Sequence, residues 1–371
     1  MPDKKKPNSS SRSSTDSTAT TSSTSITTPV EPIIPPLPNP STGSANPSAS
    51  LHSLWGYLQP ALDHILRTST NNPSKAPAID VSYHMGIHTA VYNYFTAHSE
   101  ASNGPTPASV GLPGFPARLS QSFDKSKASG TDLYEQLDRY YADVAREIFL
   151  GTPHDDADLV HYLIPCFNRY SAGAQSVSRL LNYVNRHYVK RAIDEDRGWL
   201  RLADVLDAVA RTIREDDTRD KVQKRLRERR TEELKKWGFV EGDSPARVAQ
   251  IEGYAEAASP PDRVVPLAAL AYRRFRIDVV DPLLAVPKVK GKGKKRRPPT
   301  ADADKPPMPR GRLARAVKEL LESKGGDEEE RRRLAGELAI MLRTVGIKVD
   351  HPLRKKLDKF LPADDIEGTT K

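Results

Sequence analysis

Apolar residues recur at spacings of three and four along most of the chain. In the first such stretch, Leu54, Leu58, Leu62 and Ile65 fall on one face of a helical wheel. Period-two alternation of β-branched residues, which is typical of half-buried strands, is scarce throughout. The pattern therefore predicts an all-α fold.

Capping and breaking residues divide this pattern into segments. Asp132, with Glu135 three residues later, predicts the start of one helix, and Ser244 followed by Pro245 predicts another. After the opening helix, which begins at Leu51, we expect helices over about 80–97, 132–150, 156–170, 173–193, 198–214, 218–237, 245–257, 264–284, 312–323, 327–345 and 352–361.

Polar low-complexity segments separate the helical regions. Residues 1–50 are rich in Ser, Thr and Pro and have too few large apolar groups to offset the entropy cost of ordering, so they are predicted to be disordered. Residues 99–130 read as a long loop and residues 287–311 as a basic Pro/Gly linker. The chain is thus divided into a helical domain over 51–286 and a small helical C-terminal unit over 312–362.

One predicted helix has more apolar surface than a single core needs. The apolar and aromatic residues of 83–95 cover about half of the wheel, whereas a helix on one core typically shows a stripe of about 100°. Such a helix either lies deeper in its own domain or offers aromatic anchors to a partner protein. The two stripes are Met85, His88, Tyr92 and Phe95 on one side and Ile87, Val91 and Tyr94 beside it.

Charge and cysteine content narrow the choice of compartment. The chain has 57 Lys and Arg against 48 Asp and Glu, a formal net charge of +9, and a single cysteine, Cys166. One cysteine excludes an internal disulfide and favours a reducing compartment. No apolar run reaches the ~20 residues of a membrane helix, so we expect no membrane association.

The basic run of the linker is a candidate nuclear-localisation signal. Its core is Lys294, Lys295, Arg296 and Arg297, which lie among Gly and Pro. We therefore expect the protein in both nucleus and cytoplasm. The same run could contact nucleic acid, in which case binding would weaken steeply with salt. As a solvated linker it needs no function at all.

Candidate chemistry is sparse. His84 and His88 lie one helical turn apart, but Met85 occupies the position where a zinc-protease motif has Glu, and no third ligand is evident. Cys166 stands in an apolar stretch without the basic surroundings that lower a thiol pKa. There is no phosphate-binding loop and no serine nucleophile motif. We expect no enzymatic activity, no cofactor and no metal.

Several blocks resemble the N-terminal repeat of cullins, in particular the cullin-1-like branch. The most specific block is Tyr183-Val184-Asn185-Arg186-His187-Tyr188-Val189-Lys190-Arg191. Val91-Tyr92-Asn93-Tyr94, Leu54-Trp55 and Leu133-Tyr134 precede it in the order and spacing of the family. The resemblance extends over about residues 51–212 and does not continue past the basic linker.

The resemblance implies a non-catalytic scaffold of a ubiquitin ligase. In cullins, the second and fifth helices of the first repeat bind a BTB/POZ-fold adaptor, which in this branch carries F-box receptor proteins. His84 and His88 stand where the family usually has tyrosines. The adaptor-binding residues implied here are His84, Met85, His88, Val91, Tyr92, Arg186, Tyr188 and Val189.

The chain departs from the cullin pattern in length. A complete cullin continues into a C-terminal domain that binds a RING subunit, and that domain is not recognisable here, so we expect no direct RING binding. Two alternatives remain open: a truncated paralogue that sequesters adaptors, and a nuclear helical protein that binds nucleic acid through its basic linker.

Overall fold

Helices form nearly all of the regular structure. The computed structural model describes residues 46–68, 70, 72–103 (the backbone alone for 98–103), 130–214, 217–286, 311–322 and 327–361. None of these residues lies in a strand, which confirms the all-α prediction. The predictions for residues 1–45, for 104–129 and for the linker 287–310 with its basic run fall outside the described residues.

The first half of the described chain contains five helical segments. Residues 46–50 form a turn, and the Ser50 hydroxyl accepts a hydrogen bond from the Ser53 amide, which caps the first helix. The segments are α1 (Leu51–Arg67), α2 (Val81–Asn103), α3 (Thr131–Leu150), α4 (Leu159–Leu180) and α5 (182–197, with a π-helical turn at Asn185–Val189 and a kink at Glu195 and Asp196, where the backbone leaves the helical region).

The second half continues with shorter helices. The predicted start at Ser244 is confirmed, because its hydroxyl accepts a hydrogen bond from the Arg247 amide. The segments are α6 (Leu202–Ala210), α7 (Arg219–Lys235), α8 (Pro245–Ala258), α9 (267–284, with a π-helical turn at Arg276–Val280), α10 (Arg312–Glu322), α11 (Glu328–Thr344) and α12 (Pro352–Phe360). None of the described helices is long and apolar enough to cross a membrane.

Two boundary predictions were wrong. The break expected near residues 171–172 does not exist: α4 runs on to Leu180, and the chain breaks at Leu181 instead. The predicted Asp132 cap is also replaced, because Gly130, with φ at 92°, holds the N-cap position of α3. The Asp132 carboxylate instead accepts a hydrogen bond from the Tyr94 hydroxyl of α2. The Asp132 side chain, which the local sequence pattern assigns to the helix cap, is thus used in a contact between α2 and α3.

α4 lies at the centre of the core. It packs against α1, α9, α11 and α10. Its Tyr170 is fully buried between the rings of Tyr141 and Phe275, and its hydroxyl donates to the carbonyl oxygen of Ala271 at 3.0 Å. This bond satisfies a polar group that would be costly to bury alone.

The C-terminal helices share this core. Leu313 and Leu338 are fully buried in the cluster that also contains the residues of α1 to α4. Asp156, which precedes α4, accepts hydrogen bonds from Arg312 at 3.1 Å and Arg315 at 2.7 Å. Burial opposes ionisation of Asp156, but the two guanidinium groups outweigh it and hold the pKa of the carboxyl below its usual value.

Candidate protein-docking surface

α2 has an inner and an outer face, and both carry large side chains. Tyr83 and Ile87 are fully buried on the inner face. On the outer face Met85 is 57% exposed and Tyr92 is 48% exposed, and His88 is exposed between them. The excess apolar surface predicted from the wheel is therefore divided, with the stripe of Ile87, Val91 and Tyr94 in the core and most of the other stripe in solvent, although its last member, Phe95, is buried.

Three of the predicted adaptor-binding residues face inward. Val91 and Tyr188 are each 1% exposed and Val189 is 2% exposed. They belong to the core of the protein itself and have no surface to offer a partner, which corrects our prediction for these positions. His84 and Arg186 are exposed, as a docking role requires.

Ring contacts join α2 to α5 at the surface. The Tyr183 ring lies 5.6 Å from that of Tyr92 and 6.3 Å from that of His88, both edge to face. It stacks on His187 with 4.0 Å between ring centroids. Together with Met85, these residues form what we call the aromatic surface: Met85, His88, Tyr92, Tyr183 and His187.

The inner side of α5 fixes the position of these rings. The Asn185 amide oxygen accepts a hydrogen bond from the Leu267 amide at 3.0 Å and so ties α5 to the start of α9. The Tyr188 ring packs 5.2 Å from that of Tyr134. The block 183–191 therefore serves two purposes, since some of its residues belong to the core while Tyr183 and His187 reach the surface.

Two tyrosines on the inner face of α2 bond it to neighbouring helices. The Tyr83 hydroxyl donates to the carbonyl oxygen of Tyr57 in α1 at 2.7 Å, and the Tyr94 hydroxyl donates to the Asp132 carboxylate in α3. Phe95, in the middle of the helix, packs against the Tyr183 ring, with centroids 5.3 Å apart. The aromatic surface therefore stands on a rigid base, which reduces the entropy cost of binding.

Positive charge borders the aromatic surface. Arg186 and Lys190 are exposed on α5 and make no ion pair with any residue that the structure describes. Arg191 lies 3.8 Å from Glu195, a weak exposed pair. Partial burial, with a smaller contribution from Tyr92, raises the pKa of the Tyr183 phenol, so this ring stays neutral and apolar in character. The arrangement suits a partner with an apolar patch and acidic residues at its edge.

Sequence reasoning did not include Tyr183 and His187 in the predicted site. Both stand in the block that carries the family resemblance, and they are four residues apart, so they share one helix face. That spacing was the available signal. The sequence alone does not separate Tyr183 from Tyr188, because both are tyrosines of one block and only their burial in the fold distinguishes them.

Neither the cysteine nor the His, Cys, Asp and Glu side chains of the described residues form a second candidate site. Burial raises the pKa of the Cys166 thiol, which lowers the fraction of reactive thiolate at neutral pH. Within the described ranges, no group of three or more His, Cys, Asp or Glu side chains has a metal-binding arrangement. The surface formed by α2 and α5 is the feature that the geometry favours for function.

Comparison with curated proteins shows distant similarity to a cullin. The chain is 24% identical over 151 residues to Cullin-1 of Dictyostelium discoideum, and the match covers 40% of this chain and 18% of that protein. The chain therefore spans about a fifth of the length of this relative. No model of a known protein family matches the chain. No solved structure matches it.

Proposed function

We propose that this protein is a non-catalytic scaffold that docks a BTB/POZ-fold adaptor on its aromatic surface. In this role it would hold an adaptor with its F-box receptor protein for ubiquitin-dependent protein breakdown. The observation that carries the proposal is the exposed, rigidly supported cluster of aromatic side chains on α2 and α5. The distant similarity to Cullin-1 supports the same class of function.

Two exposed side chains on α2 can supply most of the adaptor-binding energy on a surface that has no pocket. Tyr92 and Met85 are large, exposed and held on a helix, and such side chains dominate the energetics of many interfaces. Arg186 at the border would pair with acidic groups of the adaptor and set its orientation more than its affinity. His84 and His88 supply the remaining contact area on the outer face of α2.

The test is a titration of the purified full-length chain with a purified BTB/POZ-fold adaptor by isothermal calorimetry. Tyr92→Ala and Met85→Glu should each weaken binding by at least roughly tenfold, the effect of losing an interface anchor. Val240→Glu is the control, because Val240 is 65% exposed on the connection between α7 and α8 and outside the aromatic surface. Unchanged affinity in both anchor variants, or no binding by the wild-type chain, would refute the proposal.

The basic run 294–297 remains our proposed signal for nuclear entry. A fluorescent fusion of the full chain should lose nuclear accumulation when Lys294, Lys295, Arg296 and Arg297 are replaced by Gln. An unchanged distribution would leave the basic residues as a solvated linker.

A further inference from the structure

A second feature lies between α4, α8, α9 and the end of α11. A cavity of about 340 Å³ opens there, at the small end of the range for ligand sites. None of these helices is α2 or α5, which form the aromatic surface. Its lining includes Gln175, Glu256, Ala268, Ala269, Tyr272 and Thr344.

Glu256 brings an uncompensated carboxyl to this cavity. It makes no side-chain hydrogen bond or ion pair with any residue in the described part of the chain. One turn earlier on α8, Glu252 forms an ion pair with Arg230 of α7, whereas Glu256 has no such partner among the described residues. Burial, and then the charge of Glu252, raise the pKa of Glu256 to about 8.

The rest of the lining offers acceptors and apolar surface. The Gln175 amide nitrogen donates to the Tyr272 hydroxyl at 3.2 Å, which leaves the Gln175 amide oxygen as an acceptor. Ala268 and Ala269 form an apolar wall. No lysine or arginine is among the residues that line this cavity. Arg247 and Arg343 act electrostatically on Tyr254 of the wall but do not line the cavity. In the lining itself, a group rich in N–H donors would find a carboxylate and an amide oxygen.

We propose that this cavity binds an organic cation, a primary ammonium or guanidinium group on a short alkyl chain, whose charge pairs with the Glu256 carboxylate. The alkyl chain lies against Ala268 and Ala269, and the N–H donors bond Glu256 and Gln175. The cation is either a free small molecule or the Lys or Arg side chain of a polypeptide, since both present the same head group.

This pairing has a consequence that can be measured apart from affinity. The cation binds the ionised carboxylate, so a Glu256 that carries a proton must release it to the buffer on binding. With the pKa of Glu256 at about 8, binding at pH 7 should release about 0.9 proton per site. A cation bound elsewhere on the surface, beside carboxylates already ionised, would release almost none.

The experiment is a calorimetric titration of the full-length chain with agmatine at pH 7, in phosphate and in Tris. Because these buffers differ in ionisation enthalpy, the difference between the two binding enthalpies gives the number of protons released. Glu256→Gln, which keeps the shape of the side chain, should weaken binding roughly ten- to a hundredfold, as expected for the loss of a charge-assisted hydrogen bond. Glu232→Gln removes the same charge from exposed α7 and should bind agmatine like the wild type.

A parallel titration with the peptide acetyl-Gly-Lys-Gly-amide separates the two sources of the cation. Binding of agmatine alone indicates a free small molecule, and binding of the peptide indicates a polypeptide side chain. Failure of both probes to bind the wild-type chain, or equal binding by Glu256→Gln, would overturn the proposal. The proton count in the wild-type chain requires no variant, so a variant that folds poorly does not decide the outcome.

Discussion

Val91 and Tyr92 are neighbours in sequence and have opposite environments. Successive residues of a helix are separated by about 100° around its axis, so one side chain can enter the core while the next faces solvent. Val91 is 1% exposed against the core of α1 to α5, and Tyr92 is 48% exposed beside Tyr183. A single position thus separates a residue that maintains the fold from a residue that is free to bind.

Substitutions at Val91 and Tyr92 test which face of α2 is buried. Val91→Asp places a carboxylate in an apolar core and should lower the free energy of unfolding by about 3 kcal/mol or more. Tyr92→Ala should change it by less than about 1 kcal/mol, because the ring is half exposed. Urea denaturation followed by circular dichroism measures both values. Equal destabilisation by the two variants would show that the faces of α2 are assigned incorrectly.

Glu256 gives a prediction about pH. Its pKa rises from an ordinary 4.5 to about 8 in the folded state, so between these values the folded chain holds a proton that the unfolded chain has lost. This group therefore stabilises the fold below about pH 4.5 relative to higher pH. Its contribution falls as pH rises through the window, by up to about 1.4 kcal/mol per pH unit, and is lost above about pH 8.

The measurement is the difference in unfolding free energy between Glu256→Gln and the wild-type chain. Because Gln does not titrate, the variant should gain stability relative to the wild type on going from pH 5.5 to pH 8. A difference that stays constant over this range would mean that the carboxyl has an ordinary environment, and it would also weaken the cation proposal.

Among the helices, contacts that are distant in sequence decide how α3, α5 and α9 are arranged. The Tyr134 hydroxyl of α3 donates to the carbonyl oxygen of Val265 and accepts from its amide, each at 3.0 Å. Val265 stands just before α9, and Asn185 of α5 holds the first turn of that helix. Two polar side chains therefore fix the segment that leads into α9, inside an otherwise apolar core.

A matched pair of Tyr→Phe substitutions tests these hydrogen bonds. Tyr134→Phe leaves the Val265 amide and carbonyl unpaired in the interior and should cost about 1–3 kcal/mol of unfolding free energy. Tyr141 is fully buried two turns later on α3, but its hydroxyl has no hydrogen-bond partner among the residues that the structure describes. Tyr141→Phe should therefore be neutral or slightly stabilising. A similar cost for both substitutions in thermal or urea denaturation would contradict this account.

Gly173 explains why one helix boundary could not be predicted from the sequence. Glycine inside an apolar pattern favours a break, and the predicted boundary was placed beside it. In the structure Gly173 lies where α1 crosses α4, and a Cβ atom there would stand 2.6 Å from Leu66 and 3.2 Å from the carbonyl oxygen of Ile65. The glycine permits close packing of two helices, which depends on a partner more than 100 residues earlier in the chain.

Over the whole protein, α4 connects the N-terminal helices to the C-terminal ones. α10 and α11 pack on it, and Asn168 of α4 donates to the Glu337 carboxylate of α11 at 3.1 Å. A fragment that ends at residue 286 would expose the face of α4 that Leu313 and Leu338 cover. Studies of binding should therefore use the full chain.

Truncation tests this arrangement. Removal of residues 287–371 should lower the urea midpoint clearly or prevent folding, because several large apolar side chains lose their cover. The full chain should also show coincident transitions by fluorescence and circular dichroism, as one cooperative core requires. A truncated chain with an unchanged midpoint would mean that α10 to α12 add little to the stability of the rest.

Periodicity was sufficient to predict the helical class and most helices, since these depend on local patterns. It also indicated that α2 carries surplus apolar surface. It could not assign the inner and outer stripes, because both contain aromatic residues, and so Val91 and Tyr188 were placed in the site while Tyr183 was not. The cavity at Glu256 was not predictable, since Gln175, Glu256 and Thr344 come from three distant segments.

Thiol footprinting locates the docked partner. In a Cys166→Ala background, a cysteine is placed at Met85 in the aromatic surface or at Val240 outside it, and the rate of alkylation is measured with and without saturating BTB/POZ-fold adaptor. We predict that the adaptor slows alkylation at position 85 at least roughly tenfold and leaves position 240 unchanged. Equal rates at position 85 with and without the adaptor would contradict docking on α2 and α5.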